Sequence, residues 1–448
     1  MIFGAARILL MFCMRLALQQ ESPPHPPLEQ GSVEAVNTNE EAEAGTRGPS
    51  WLKWGAEFHG RLELPTALDF DQAVNDQYYL NRIRIWGEIE STPWLRFYVQ
   101  GQDARAVGLS DPDAKDSAVH HLDFREAYVD FGREKSTWSF RAGRQELVFG
   151  DERLVGADNE WDALGQTFDA VRLSYQRLGV RVDSFGAFVV PLTCQGMARA
   201  STGKQLYGIY TSFEGGDRRP VFEPYALWKS DRSSGQGQGS EDDRDVFTYG
   251  MRMTGALPLG LDYNTEIALQ RGHRAEESVR AWAGHWELGV RLGHSNLAPR
   301  LGVEYNFASG DGRSGDGRHG TFDDLYPAGY NQYGMSDPFA WRNLRNISGG
   351  LSWKFSKRWR LTVGARAFWL ANIQDALYTR GDDYLTINPN ASSDHVGDQA
   401  SVMLAWEHSK TWQLYAGYAR FVPGRYLTDS SFHGQWSTPF LVLNYRFE

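Results

Sequence analysis

The chain has 448 residues, of which 46 are Lys or Arg and 56 are Asp or Glu, so its formal net charge at pH 7 is −10. This acidic balance argues against a nucleic-acid partner. After the first residues, no apolar run reaches the ~18 residues that a membrane-spanning helix needs, which excludes a helical membrane protein. The two cysteines, Cys13 and Cys194, predict neither a disulfide nor a cysteine metal site, because the first lies in a predicted leader.

Two fold classes remain compatible with the composition. Charged residues make up 23% of the chain, a value that suits a soluble protein and equally a membrane β-barrel with a polar lumen. The 16 Trp and 20 Tyr are expected where aromatic rings lie at two membrane interfaces. A large aromatic-rich β-sandwich is the alternative from composition alone.

The first 50 residues differ from the rest of the chain. Residues 1–20 contain Arg7 followed by an apolar run, which indicates a secretory signal peptide without a clear cleavage site. Residues 21–50 are rich in Pro, Glu, Asn and Gly, and they predict a disordered periplasmic linker. We therefore expect one folded domain over residues 51–448.

From Trp51 onward, the chain consists of short alternating segments rather than helical patterns. We count about 18 such segments, an even number in the range of a porin-sized barrel. Tight turns, such as residues 91–93 and 409–410, alternate with long loops, such as residues 310–344 and 375–396. Short periplasmic turns opposed to long extracellular loops are typical of an outer-membrane barrel, whereas a soluble sandwich has no reason to separate loop lengths by end.

The faces of single segments agree with a barrel. From Trp359 to Trp369 every second residue is apolar, whereas Arg360 and Arg366 lie on the opposite face. A Trp at each end of the apolar face fits two aromatic girdles at membrane interfaces. The sequence thus predicts an all-β fold, a single transmembrane antiparallel β-barrel with short periplasmic turns and long extracellular loops.

Two stretches carry a longer signature. Residues 141–175 read RAGRQELVFGDERLVGADNEWDALGQTFDAVRLSY, which is two alternating segments separated by a polar loop. This block resembles the signature of the alginate-export family of outer-membrane β-barrels, and the loop that begins ASGDGRSGDGRHGTFDDLYPAGY resembles a second block of that family. The resemblance implies a location in the bacterial outer membrane, an arginine-rich pore that conducts an anionic polymer, and a periplasmic export scaffold as partner.

Strand alternation places a set of arginines on the lumen face. They are Arg61, Arg82, Arg84, Arg96, Arg172, Arg252, Arg291, Arg300, Arg366 and Arg446. Guanidinium groups stay charged and pair with planar carboxylates in a bidentate way, so an arginine-lined constriction suits a polyuronate. Arg144 in the GRQ motif is a further candidate, although alternation puts Arg141 inward and only a bulge would admit both. Inward acids are about as numerous, and in the alternative reading both kinds of charge only solvate and rigidify the wall.

The longest predicted loop contains four aspartates: Asp311, Asp316, Asp323 and Asp324. Their carboxylates could ligate Ca²⁺, whereas a flexible Gly-Asp loop without metal is the simpler alternative. The loop could also fold over the pore as a gate. No other cofactor is predicted, because the sequence contains no P-loop, dinucleotide or zinc motif.

An enzyme is the less favoured functional class. His120, His121 and Asp123 form one candidate group, and Asp394 beside His395 forms another, since barrel hydrolases place such pairs near the rim. Polar loops contain such pairs by chance, and the predicted strand count is too high for those enzymes.

We therefore predict a channel without enzymatic activity, monomeric and surrounded by outer-membrane lipid. It passively conducts an alginate-like anionic polysaccharide or oligosaccharide. A general porin for small anionic or sugar solutes is the alternative, and a barrel hydrolase is the third candidate.

Overall fold

The computed structural model describes most of the chain after residue 48. The described residues are 49–109, 118–132, 136–157, 164–192, 197–214, 220–232, 243–293, 295, 297–328, 333–336, 338–379 and 383–447. The predicted signal peptide lies outside them, as does the predicted linker up to residue 48. Within the described part of the chain, no helix is long and apolar enough to cross a membrane.

Antiparallel strands make up almost all of the regular structure. In chain order they are β1 (Leu52–Glu63), β2 (Tyr78–Thr92), β3 (Leu95–Val107), β4 (His120–Phe131), β5 (Trp138–Gln145), β6 (Thr167–Arg177), β7 (Val180–Val190), β8 (Lys204–Glu214), β9 (Val221–Asp231), β10 (Arg244–Ala256), β11 (Leu261–Arg274), β12 (Glu277–Arg291), β13 (Arg300–Ala308), β14 (Arg318–His319), β15 (Leu344–Trp353), β16 (Trp359–Leu370), β17 (Leu377–Tyr378), β18 (Tyr384–Thr386), β19 (His395–Glu407), β20 (Trp412–Pro423) and β21 (Ser437–Phe447). One short helix, α1 (Arg425–Asp429), lies between the last two strands.

The main sheet closes on itself. It contains nineteen strands, and β17 with β18 forms a separate hairpin. One of the nineteen, β14, is a two-residue segment that pairs in parallel with β12 at the rim, so eighteen strands form the wall. Strand β1 pairs with β2 on one side and with β21 on the other, which closes the barrel. The predicted fold class is therefore confirmed.

The two ends of the barrel carry connections of different length. The first strand starts and the last strand ends at the same end, which we call the turn end because connections such as residues 93–94 and 178–179 are tight there. The opposite end, called the loop end, carries the long connections of residues 146–166 and 309–343.

One connection at the loop end differs from the predicted pattern. Strands β11 and β12 stay paired as far as Arg274 and Glu277, so only two residues join them. Ala275 adopts a positive φ of 47° at this tight hairpin. Two-residue hairpins favour Gly or Asn at such positions, and the absence of either here explains why the sequence predicts a longer loop.

Side chains on the wall alternate between the lumen and the outer surface. Ile85 is 60% exposed and Val171 is 51% exposed on the outside, whereas the neighbouring Arg84 is 3% exposed on the inside. Period-two alternation of this kind is what a strand dictates when one face contacts lipid and the other a polar lumen. The outer wall is therefore apolar and the inner wall is charged.

Aromatic pairs mark both edges of the apolar outer wall. At the turn end, Trp412 and Tyr445 have ring centroids 4.4 Å apart. Near the loop end, the rings of Trp282 and Phe307 are also 4.4 Å apart. Rings at these two levels correspond to the girdles that barrels place at the membrane interfaces.

Candidate pore

Most of the predicted pore arginines lie on the inward face of the barrel. They occupy the inward positions of their strands, opposite the exposed apolar residues: Arg61, Arg82, Arg84, Arg96, Arg172, Arg252, Arg291, Arg300 and Arg366. Arg96 and Arg300 stand at the turn end of their strands, whereas Arg61 stands near the loop end. The inward arginines are thus distributed over the length of the lumen.

Inward carboxylates pair with most of these arginines. Arg366 Nη2 lies 2.8 Å from Glu304 Oε2, and Arg252 Nη1 lies 2.6 Å from Glu223 Oε2. Further ion pairs join Arg61 to Glu63, Arg82 and Arg84 to Glu57, Arg96 to Glu88 and Asp130, Arg172 to Asp183, and Arg300 to Asp262 and Glu287. The Nε of Arg291 has no hydrogen-bond partner among the described residues. Interleaved charges therefore line the lumen.

Arg144 does not belong to this inward set. Strand β5 pairs with β6 without a bulge, so Arg144 falls on the outward face together with Phe140. Its Nε lies 2.8 Å from the carboxylate of Asp169, the directly opposed residue on β6. The prediction that Arg144 lines the pore is wrong, because only a bulge in β5 could have turned both Arg141 and Arg144 inward.

Two long loops enter the lumen and meet there. The described residues of the first inward loop (146–157 and 164–166) and of the second inward loop (309–328, 333–336 and 338–343) form a parallel bridge between Val155 and Tyr326. The amide N–H of Gly156 donates to the carbonyl of Tyr326 at 3.0 Å, and the amide N–H of Tyr326 donates to the carbonyl of Leu154 at 2.9 Å. The two sequence blocks that resemble the alginate-export family are therefore one unit inside the barrel.

Ion pairs with the wall hold the first inward loop in place. Asp151 accepts hydrogen bonds from Arg252 on β10 and Asn264 on β11. Arg153 Nη2 lies 3.5 Å from Glu304 Oε1 on β13. Arg252 stands eight residues from the loop end of β10, which is roughly 26 Å of strand. The loop therefore reaches deep into the lumen.

The second inward loop is anchored through a buried carboxylate. Both oxygens of Asp323 lie 3.0 Å from Lys229 Nζ on β9. Arg342, within the same loop, donates from Nε to Asp324 at 2.7 Å. Because these carboxylates are already neutralised by protein cations, they have little need of a bound metal ion.

Aromatic side chains pack beneath the loop end of the lumen. Phe322 and Trp341 of the second inward loop make an edge contact at 5.5 Å. Phe339 of the same loop packs against Phe421 of β20 at 5.6 Å, and Phe70 packs against both of them, at 5.0 Å from Phe421 and 6.1 Å from Phe339. All five rings are at most 2% exposed. The lumen is therefore narrowed near the loop end by apolar packing and remains polar nearer the turn end.

Of the other two predicted calcium ligands in the second inward loop, Asp316 is exposed and Asp311 is half-buried. Asp316 accepts a hydrogen bond from the amide of Arg318, which is a local turn. Asp311 lies in a group with Glu277 and His319, whose ligand atoms are all within 4.8 Å of one another. Calcium prefers oxygen ligands, and this group includes an imidazole. Calcium binding by these residues stays a prediction.

The residues of the candidate hydrolase sites have structural partners. His120 Nε2 lies 3.6 Å from Asp123 Oδ2, but the same carboxylate oxygen accepts a hydrogen bond from the amide of Ala198. Asp394 pairs with Arg345, and His395 Nε2 instead lies 3.4 Å from Asp398. The Asp394–His395 pair is therefore not assembled as a catalytic pair.

Several residues of the lumen were not among the predicted pore residues. Asp151 and Arg153 lie in a segment that the sequence predicts only as a polar loop, and no local pattern shows that a loop turns inward. Arg181, in contrast, could have been found, because it alternates with Val180 and Val182 on β7.

Comparisons with known proteins agree with this architecture. A family model described as "Alginate export" matches residues 50–433. No curated protein matches the chain. Among solved structures, OccD3 (OpdP) of Pseudomonas aeruginosa is similar with a TM-score of 0.61 and 14% identity, over 95% of this chain and 99% of that chain.

Two structures of another Pseudomonas aeruginosa protein are similar as well. The outer membrane protein OpdK gives a TM-score of 0.59 at 11% identity, over 88% of this chain and 98% of that chain. OpdK with vanillate gives 0.61 at 12% identity, over the same shares of both chains. Identities this low show a shared fold, whereas the family match covers most of the sequence. The chain belongs to the alginate-export family and is a transport channel of the bacterial outer membrane.

Proposed function

We propose that the channel passively conducts an anionic saccharide, an alginate-like polysaccharide or oligosaccharide, along its inward arginines. The observation that carries this proposal is the distribution of guanidinium groups from Arg300 at the turn end, through Arg252 and Arg366, to Arg82 near the loop end. Each guanidinium group is permanently charged and can bind a carboxylate through two hydrogen bonds. A cargo with a carboxylate on each sugar can therefore pass from one arginine to the next along the lumen.

Paired arginines can still contact a passing cargo. The side chains of Arg96 and Arg300 remain 31% and 28% exposed although both are ion-paired. A carboxylate partner on the wall holds each guanidinium group in one orientation and leaves its other N–H groups for the lumen. The carboxylates of the wall therefore hold the arginines in position. Because these carboxylates are numerous, they also weaken the binding of an anionic cargo enough for it to leave.

A porin for small anionic or sugar solutes is the second candidate. The observation that favours it is the aromatic packing of Phe339 and Phe421 near the loop end, which leaves less room for a polymer. The crystallised complex of OpdK contains vanillate, a small carboxylate, and a similar solute would suit the same arginines here. The two candidates differ in whether the two inward loops move aside for a chain.

Electrical measurements on the refolded full-length chain in a planar bilayer separate the candidates. We expect anion selectivity in a salt gradient and block of the current by polymannuronate added to one chamber. Permeation of glucuronate and vanillate without block by the polymer would favour the small-solute porin. A channel with no preference for anions and no response to either ligand would contradict both candidates.

The remaining parts of the proposal concern partners and catalysis. The apolar outer wall contacts outer-membrane lipid, the barrel acts as a monomer, and a periplasmic scaffold delivers the cargo. We propose no catalytic activity, because Asp394 is paired with Arg345 rather than with His395. Hydrolysis of an oligosaccharide by the purified protein, abolished by His395→Ala with conductance intact, would overturn this part.

A further inference from the structure

A row of charged residues crosses four neighbouring strands at the turn end of the lumen. In the strand register, Arg96 on β3 is opposite Asp130 on β4, and Asp130 is opposite Arg141 on β5. Arg141 is in turn directly opposite Arg172 on β6. Arg181 on β7 lies at the edge of this row. Four arginines thus gather on one side of the turn-end mouth.

The carboxylates around these arginines do not fully compensate them. Asp130 pairs with both Arg96 and Arg141, and Asp183 pairs with both Arg172 and Arg181. The third acid in contact, Glu88, is 3.0 Å from Arg96 Nη1 and is shared with Lys53. Directly opposed like charges such as Arg141 and Arg172 destabilise a sheet. If the charged residues only served to solvate the inner wall, two directly opposed arginines would not be needed.

The guanidinium groups leave donors for a ligand. The ion pairs of Arg172 and Arg181 with Asp183 run through Nε, at 3.2 and 2.8 Å. Neither terminal nitrogen of these two arginines has a hydrogen bond to another residue that the structure describes. Arg141 is held with its Cζ 3.8 Å from the ring centroid of Tyr128 and binds Asp130 through Nε and Nη2. Guanidinium groups that are held through Nε, with their terminal nitrogens directed to the lumen, are suited to bind a planar carboxylate.

The four arginines and Asp130 line one recess. Three hydroxyl groups and one amide complete its lining, those of Ser136, Ser139, Ser174 and Gln176. The Ser174 hydroxyl already donates to Asp183 and accepts from Arg172, so it helps to hold these two side chains. Hydroxyl and amide groups both donate and accept hydrogen bonds, so Ser139 and Gln176 complement the hydroxyl groups of a sugar. With a volume of about 30 Å³, the recess admits the carboxylate itself, and the ring that bears it lies in the lumen beside the hydroxyl and amide groups at the edge.

We propose that this turn-end recess is a binding site for a uronate residue of the cargo. Arg172 and Arg181 bind the carboxylate, Arg96 and Arg141 complete the positive surroundings, and Ser139 and Gln176 contact the sugar hydroxyls. The site lies at the mouth rather than in the narrowed part of the lumen, so it captures the end of a chain before passage. The identity of the ligand rests on the proposed function, whereas the position of the site rests on the contacts above.

The test uses single channels of the full-length chain and a mannuronate hexasaccharide, added first to one chamber and then to the other. We expect block at lower concentration from one side in the unaltered channel. In Arg172→Gln and in Arg181→Gln, the blocking concentration on that side rises about tenfold, the loss expected for one charge-assisted hydrogen bond. Arg360→Gln is the matched control, because Arg360 is an inward arginine at the turn end of β16 and pairs with Glu407.

The outcomes separate this site from the proposed function. If the hexasaccharide does not block the unaltered channel from either side, the assignment of the cargo fails. If it blocks, but Arg172→Gln and Arg181→Gln respond like Arg360→Gln, the recess is not the site and the cargo assignment stands. Arg172→Lys retains the positive charge beside Asp183 but loses the planar guanidinium group, so we expect weaker block by the hexasaccharide in this variant as well. Block as strong as in the unaltered channel would overturn the bidentate site.

Discussion

Arg252 on the barrel wall donates a hydrogen bond to Asp151 on the first inward loop, across 101 positions of the sequence. The same carboxylate accepts from Asn264 on the next strand, and the side chains of Arg252 and Asp151 are 7% and 13% exposed. The contact therefore fixes the position of a loop that reaches into the lumen. We therefore expect the size of the open pore to depend on it.

We expect Asp151→Asn to raise the single-channel conductance and the open-channel noise. A hydrogen bond to a charged group contributes about 1.5–3 kcal/mol, so its loss lets the first inward loop leave the wall for part of the time. Single-channel recording in a planar bilayer measures both quantities. Asp71→Asn is the control, because Asp71 is exposed and its carboxylate accepts a local hydrogen bond from the amide of Ala73. Equal conductance and noise in Asp151→Asn and the unaltered channel would show that Asp151 does not set the pore.

Asp323→Asn is expected to destabilise the protein. Its carboxylate is 3.0 Å from Lys229, whose side chain is 3% exposed, and it also faces Arg244 and Arg342. Removal of a charged member of a buried ion-pair group leaves excess positive charge at a cost of about 3–5 kcal/mol. The loss of the folded, heat-modifiable band on gel electrophoresis at increasing temperature measures this effect. Asp316→Asn, exposed on the same loop, serves as control. A transition temperature equal in both variants would contradict the assigned role of Asp323.

Arg366→Ala is expected to reduce the preference for anions. Glu304 loses its closest cation, at 2.8 Å, and the lumen gains about 1 kcal/mol of unfavourable potential for an anion, which corresponds to about a fivefold change in permeability ratio. The reversal potential in a salt gradient reports the ratio. Arg420→Ala removes an equal charge from an exposed position next to Gln435 and should leave the ratio unchanged. If both variants shift the ratio equally, the effect does not arise in the lumen.

Arg144→Gln tests whether the outward arginine of the GRQ motif differs in function from the inward arginines. Arg144 pairs with Asp169 on the outer face, so we expect ion selectivity and block by polymannuronate to remain as in the unaltered channel. Arg82→Ala, made on an inward arginine 2.5 Å from Glu57, should weaken both. Weakened block in Arg144→Gln would place that side chain in the conduction path and contradict its outward position.

The local pattern of the sequence was sufficient to predict the wall of the barrel. Alternation of apolar and polar residues has the same period as the side chains of a strand, so the inward positions of Arg82, Arg172 and Arg366 could be read along the chain. Loop length identified the two ends in the same way, except at the hairpin of Ala275. There the turn lacks the Gly or Asn that would have marked it.

The sequence by itself thus determined the closed barrel, its two faces and the family, because period-two alternation and the block of residues 141–175 are local properties of the chain. Only the tertiary structure decided that the two long loops enter the lumen and meet at Val155 and Tyr326. It also decided that Asp323 pairs with Lys229, 94 positions away, rather than standing as an unneutralised metal ligand. Contacts of this kind join residues that are far apart in the sequence, and the residues next to each one do not indicate its partner. Only the closed barrel brings the two residues together.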